Sequence, residues 1–197
     1  MKMLSEFLRM IKGFLLVIGP AKAGKTSILR RLVTGKFDDH EPTLGFREET
    51  IAKVRILEIG GQRDFRKYWV EAINQDPVHI FFVIDVTSKN DFENYSLFIK
   101  ENKNLFPHIM ERTTLIVNKL DLVPTTPPYI QQKNQIIECS AKTGEGLLDL
   151  LELIANFKDV AEAKVVINHA KDVSDKINDD KDLEIAEAVL EKYYGKF

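Results

Sequence analysis

Two short runs of this 197-residue chain combine residue types and spacings suited to phosphate chemistry. Gly19 to Thr26 reads Gly-Pro-Ala-Lys-Ala-Gly-Lys-Thr and fits the loop G-x-x-x-x-G-K-[ST] at every fixed position. In such a loop, successive backbone N–H groups and a helix N-terminus converge on a polyphosphate. Gly19 and Gly24 allow the tight turn, Lys25 bridges the β- and γ-phosphates, and the Thr26 hydroxyl ligates Mg²⁺. Ala21, Lys22, Ala23 and Ser27 belong to the same cradle. The second run, Leu57-Glu58-Ile59-Gly60-Gly61-Gln62, is an apolar strand entering a Gly-Gly turn with a carboxylate just before it. A carboxylate at a strand end near a phosphate loop predicts contact with Mg²⁺ through a water.

A phosphate loop of this kind must lie between a strand and a helix. Phe14–Ile18 supplies the strand, and the apolar positions from Ser27 through Ile28, Leu29 and Leu32 supply the helix. Residues 46–51 and 54–59, separated by Ala52-Lys53, read as an antiparallel hairpin. A helical pattern covers 64–75, and the apolar run from His79 to Val86 reads as a buried parallel strand. A helix over Asp91–Leu105 follows, and then a strand, Thr114–Val117, that delivers Asn118-Lys119-Leu120-Asp121 at its end. Pro124, Pro127 and Pro128 disfavour a regular helix in 122–134. A last strand, 135–139, runs into Ser140-Ala141-Lys142, and a helix covers 145–157. The alternation predicts an α/β fold, a mostly parallel six-stranded sheet flanked by helices, with ligands at the carboxyl ends of the strands.

Outside this body lie two appendages. Residues 1–12 form an amphipathic helix, with Met3, Leu4, Phe7, Leu8 and Ile11 on one side and Lys2, Ser5, Glu6, Arg9 and Lys12 on the other. Such a stripe either packs permanently on its own domain or lies in a membrane interface. Residues 158–197 form a helical extension rich in Ala, Asp, Glu, Lys and Val, in which Leu183, Ala186, Leu190 and Tyr193 keep helical spacing. Residues 13–157 are the domain between them. With 44% hydrophobic residues the chain can bury a real core, and a net charge of −2 argues against a general nucleic-acid binder. Cys139 is the sole cysteine, which excludes a disulfide framework. No apolar stretch reaches the length of a membrane span, so a soluble, cytoplasmic protein is expected.

Taken in order, the loops resemble those of a small GTPase of the Ras superfamily, most similar to the Arf branch, over about residues 1–157. Pro42-Thr43-Leu44-Gly45-Phe46 resembles that family's first switch; Gly60-Gly61-Gln62, with Arg66 and Trp69, resembles its second. The resemblance implies a P-loop NTPase G domain that binds GTP or GDP with Mg²⁺. It implies that Thr43 ligates Mg²⁺ and senses the γ-phosphate, that the Gly61 amide senses the same phosphate, and that Gln62 orients the attacking water. Asn118, Lys119 and Asp121 match its base-recognition motif, and Ser140, Ala141 and Lys142 match the loop over the base. The chemistry agrees, since the Asp121 carboxylate can accept from N1–H and the exocyclic amine of guanine, which adenine does not offer in that arrangement. Sites of this kind discriminate by roughly 10⁴–10⁵.

The chain also departs from that pattern. The family usually has Asp where Glu58 stands, the hairpin between the switches is shorter, and Lys2 replaces the glycine that would carry a myristoyl anchor. His40, Glu41 and Pro42 supply no arginine in cis, so hydrolysis is expected to be slow until an activating protein raises it by about 10³–10⁵. The expected function is a GTP/GDP switch with an exchange factor, an activating protein and effectors, whose GTP loading releases the N-terminal helix onto membrane. The alternative is a nucleotide-bound scaffold with little turnover, motivated by Glu58. An ATP-using P-loop enzyme is disfavoured by Asn118–Asp121.

Overall fold

Strands buried on both faces are rich in apolar residues, and three runs here are buried at nearly every position. A computed structural model describes residues 2–38, 41–104, 106–130 and 135–165. In it β1 (Phe14–Ile18), β4 (His79–Asp85) and β5 (Thr113–Asn118) form the centre of the sheet. The order is β2-β3-β1-β4-β5-β6, where β2 is Phe46–Ile51, β3 is Val54–Ile59 and β6 is Ile136–Glu138. Among the described residues only β2 and β3 pair antiparallel; the other pairings are parallel. The hairpin has the expected bounds, and its two turn residues, Ala52 and Lys53, take φ of 50° and 66°. That left-handed pair suits the twist of the strands but is usually filled by Asn and Gly.

Side chains alternate across each strand, so β1 feeds two cores. Phe14, Leu16 and Ile18 meet Leu57, Phe82, Trp69, Tyr95 and Phe98 on one face. That face is covered by α1 (Lys2–Met10), α3 (Lys67–Ile73) and α4 (Lys89–Asn102). Leu15 and Val17 meet Ile28, Leu29, Phe81, Leu147 and Ile154 on the other, beneath α2 (Lys25–Thr34) and α5 (Leu147–Asn156). The helix expected over 64–75 is instead a 3₁₀ turn, Arg63–Phe65, followed by α3. The Phe65 amide closes on the Gln62 carbonyl at 2.9 Å, the tight i to i+3 bond that sets this turn apart. The α4 helix begins earlier than expected because Ser88 caps it, its Oγ accepting from the Asp91 amide at 3.2 Å.

The amphipathic α1 is seated on the domain. Leu8 is 0% and Ile11 is 1% exposed, and burial of such side chains stabilises by about 1.5–3 kcal/mol each. Phe7 stacks on Phe46 with ring centroids 4.8 Å apart, and Ser5 Oγ donates to Glu71 Oε2 on α3 at 3.2 Å. At the other terminus, residues 158–165 continue as helix beyond α5, with Ala161 and Ala163 buried. Gly13 makes this possible. Its φ is +60°, and a Cβ there would sit 2.2 Å from the Ala161 carbonyl oxygen. Lys164 Nζ donates to the Asp76 carbonyl at 2.9 Å and to its carboxylate, which also pairs with Arg112 Nη1 at 2.7 Å. The spacing of Leu183 to Tyr193 falls outside the described residues.

Candidate functional site

The carboxyl ends of β1, β3 and β5 open into one cavity of about 350 Å³. Ala21, Lys22, Gly24, Lys25, Thr26, Ser27, Thr43, Glu58, Gly61, Gln62, Asn118 and Lys119 all line it. Ala23 is fully buried behind the loop. The loop's turn depends on two glycines with left-handed backbone. Gly24 has φ 94°, and Gly19, at φ 139°, lies so near β4 that a Cβ would meet the Val83 carbonyl oxygen at 2.1 Å. Lys25 Nζ donates to the carbonyls of Gly19 and Pro20 at 2.9 and 2.8 Å. Burial lowers its pKa to about 8, with Glu58 acting in the opposite direction. A polyphosphate beside it would favour the charged form.

The segments 42–46 and 60–62 both reach this loop. A Cβ at Gly61 would stand 2.3 Å from the Pro20 carbonyl carbon and 2.4 Å from the Ala21 nitrogen, so only a bare backbone fits there. The Gly60 amide donates to the Gly45 carbonyl at 2.8 Å, tying the second segment to the first. Trp69 Nε1 donates to the Gly60 carbonyl at 3.3 Å and fixes the turn from below. Gln62 is exposed at the rim.

Glu58, at the end of β3, is 1% exposed. Its Oε1 accepts from Thr26 Oγ1 at 2.5 Å and from Thr43 Oγ1 at 3.4 Å, and the two hydroxyl oxygens are 2.8 Å apart. Its Oε2 is buried without a hydrogen-bond partner. Burial raises the Glu58 pKa, opposed by the bond from Thr26 and by the charge of Lys25. Two hydroxyls and a carboxylate form a hard, all-oxygen donor set, which fits Mg²⁺. Thr26, Thr43 and Glu58 would hold the ion, and its charge would neutralise the β- and γ-phosphate oxygens. Among the described residues no cluster of three His, Cys, Asp or Glu offers another metal site.

At the other end of the cavity, Asn118 joins two loops. Its Nδ2 donates to the Ala23 carbonyl at 2.9 Å, and its Oδ1 accepts from the Ala141 amide at 3.0 Å. Ser140 Oγ donates to Asp121 Oδ1 at 2.6 Å, and Lys142 Nζ lies 3.8 Å from Asp121 Oδ2. Lys119, at φ 71°, aims Nζ at Asp85 Oδ2, 2.6 Å away. Asp85 was not among the expected site residues. Burial acts to raise its pKa, but the bonds from Lys119 and Thr87 outweigh it and the pKa is lowered. Its signal in the sequence is its place: like Glu58, it is a carboxylate where an apolar strand ends. The register sets it opposite Asn118.

With this geometry in hand, comparison with known proteins is decisive. A profile of the ADP-ribosylation factor family matches residues 1–158. The chain belongs to that family. It is therefore a GTP-binding protein of the Ras superfamily, with the P-loop GTPase fold. ADP-ribosylation factor-like protein 1 of Saccharomyces cerevisiae is 28% identical over 158 residues, covering 70% of this chain and 83% of that protein. ADP-ribosylation factor-like protein 3 of Chlamydomonas reinhardtii is 30% identical over 157 residues, covering 70% and 86%. Ras-related protein Rab-33A of Mus musculus is 36% identical over 118 residues, and this chain spans 49% of its length. The Arf match ends at 158, where the helical stretch seated on Gly13 begins. Among the described residues no helix of this Arf-family chain is long and apolar enough to cross a membrane.

Proposed function

We propose that this chain is a GTP/GDP switch whose hydrolysis stays slow until a partner completes the site. The observation that carries the reading is that Thr43 and Gly61, from different segments, both lie against the phosphate loop. A γ-phosphate placed there can be sensed by both at once. Mg²⁺ is the cofactor, and Gln62 orients the attacking water from the rim. Its exposure leaves it open to an activating protein that fixes it and adds positive charge, and an exchange factor and effectors complete the cycle.

The reading extends to α1, which is released onto membrane when GTP loads. Its seat supports this: Phe46 lies three residues after Thr43, and Glu71 follows the second segment. Lys2, Arg9 and Lys12 would favour anionic lipid. The other reading, a scaffold that retains GTP, draws on Glu58, which by itself joins Thr26 to Thr43.

Identifying the copurifying nucleotide and following single-turnover phosphate release separates the two. Bound GDP with release that Gln62→Leu slows supports the switch; retained GTP with no release supports the scaffold. Liposome flotation with GDP and with a non-hydrolysable GTP analogue tests α1. Flotation in neither state would mean that α1 stays seated while Thr43 rests on Thr26, as the two do together here, and equal flotation in both would mean that release does not depend on the nucleotide.

A further inference from the structure

We propose that Asp85 is a positioning residue for nucleotide binding: it anchors the tip of Lys119, so that the lysine stem lies ready as a surface for the base. This assignment rests on the GTP/GDP reading and deepens it.

Lys119 lines the cavity, as Asn118 does, and its backbone is pinned on both sides. It takes φ 71°, the Val86 amide donates to the Asn118 carbonyl at 3.0 Å, and the Leu120 amide donates to the Cys139 carbonyl at 3.2 Å. A lysine side chain is long and rotamer-rich, so a fixed backbone alone does not order its stem. Asp85 supplies the second fixed point, since Nζ donates to its Oδ2 at 2.6 Å.

The carboxylate is itself aimed. Its Oδ1 accepts from the Thr87 amide at 2.9 Å and from Thr87 Oγ1 at 2.7 Å, which leaves Oδ2 for Lys119. The register sets Asp85 opposite Asn118, next to Lys119 in the chain. The bonds from Lys119 and Thr87 also hold the carboxyl below its usual range, so the anchor stays charged. Asparagine cannot serve both sides. One end of its amide is a donor, and Lys119 and the Thr87 amide are donors too.

An anchored stem offers the base apolar surface without an ordering cost at the moment of binding. It also keeps the ammonium away from the phosphates. Lys22 and Lys25 already line the cavity, and an untethered Lys119 would be drawn to the same negative charge.

The test is the dissociation rate of mant-GDP from the full chain, chased with excess GDP, in a double-mutant cycle of Asp85→Asn and Lys119→Met. The methionine keeps a stem but removes the cation. Asp85→Asn should speed release about 3–10-fold, the scale of ordering one long side chain, and should change nothing when added to Lys119→Met. A merely structural Asp85 would speed release by the same factor in both backgrounds. That result, or release at the native rate in Asp85→Asn, would overturn the assignment. If Asp85→Asn does not fold, Thr87→Val at an exposed position decides. It removes one of the two bonds that aim the carboxylate and should speed release by a smaller factor, again only where Lys119 is present; no change there would overturn the assignment. A native protein that binds ADP as tightly as GDP would overturn the nucleotide reading, and this assignment with it.

Discussion

The two ends of the sheet are assembled on different terms. At the carboxyl end, polar groups bond to the backbone of neighbouring loops: Lys25 to Gly19 and Pro20, Asn118 to Ala23, Trp69 to Gly60. At the amino end, contacts are made by shape and by ion pairs: Gly13 under Ala161, His79 on Phe157, Asp76 between Arg112 and Lys164. The first end needs particular residues at particular spacings, because a phosphate and a base dictate where donors must stand. The second needs only pieces that fit each other. Substitutions should therefore disturb ligand chemistry at one end and stability at the other.

The largest effect belongs to the first end. Asp121→Asn should weaken GTP binding by roughly 10⁴-fold, the scale at which a mismatched buried polar group discriminates. It should also shift preference toward XTP, since an amide can donate to the 2-oxo group. Unchanged GTP affinity with no gain for XTP, by competitive titration, would remove Asp121 from base recognition.

At the amino end, Gly13→Ala should cost about 2–4 kcal/mol, combining a left-handed backbone with a clash against the Ala161 carbonyl. Urea unfolding measures it. If the folded protein also loses nucleotide affinity, the two ends are not independent and the comparison breaks.

His79 sharpens the same contrast through pH. It is buried, bonded through Nε2 to Thr114 Oγ1 at 2.8 Å and stacked 4.7 Å from Phe157. Burial, with Arg112 adding to it, lowers its pKa from 6.5 to about 4. The folded state thus binds fewer protons than the unfolded state between those values. Its contribution is intact above pH 6.5 and is lost as pH falls to about 4, on the order of 3 kcal/mol in all. His79→Gln should flatten that part of the stability-against-pH curve; identical curves would show that His79 titrates normally.

The smallest effect is expected in the hairpin. Lys53→Gly should stabilise by about 0.5–1 kcal/mol, because glycine takes the left-handed turn position without steric cost. A fall in the unfolding midpoint would mean that the Lys53 side chain contributes more than its backbone costs.

The same division governs what could be read before the structure. The phosphate loop and Asn118 lie in short motifs of fixed spacing, Glu58 was marked by ending a strand, and Thr43 and Gly61 by the resemblance; the structure brings them around one cavity. The hairpin bounds were legible because two apolar runs flank a two-residue gap. Asp85 carried only the weak signal of a carboxylate ending an apolar strand; what singles it out, its register opposite Asn118 and its pairing with Lys119, is not local. The seat of 158–165 was equally hidden: an alanine-rich helical face fits many surfaces, and only Gly13 and Asp76 decide which.

Asn118 carries one more consequence. Its carbonyl oxygen and one of its N–H groups are already committed to backbone partners on opposite sides, Ala141 and Ala23. It therefore works as a ruler, fixing the span between the loop at 19–26 and the loop at 140–142 with no ligand needed to set it.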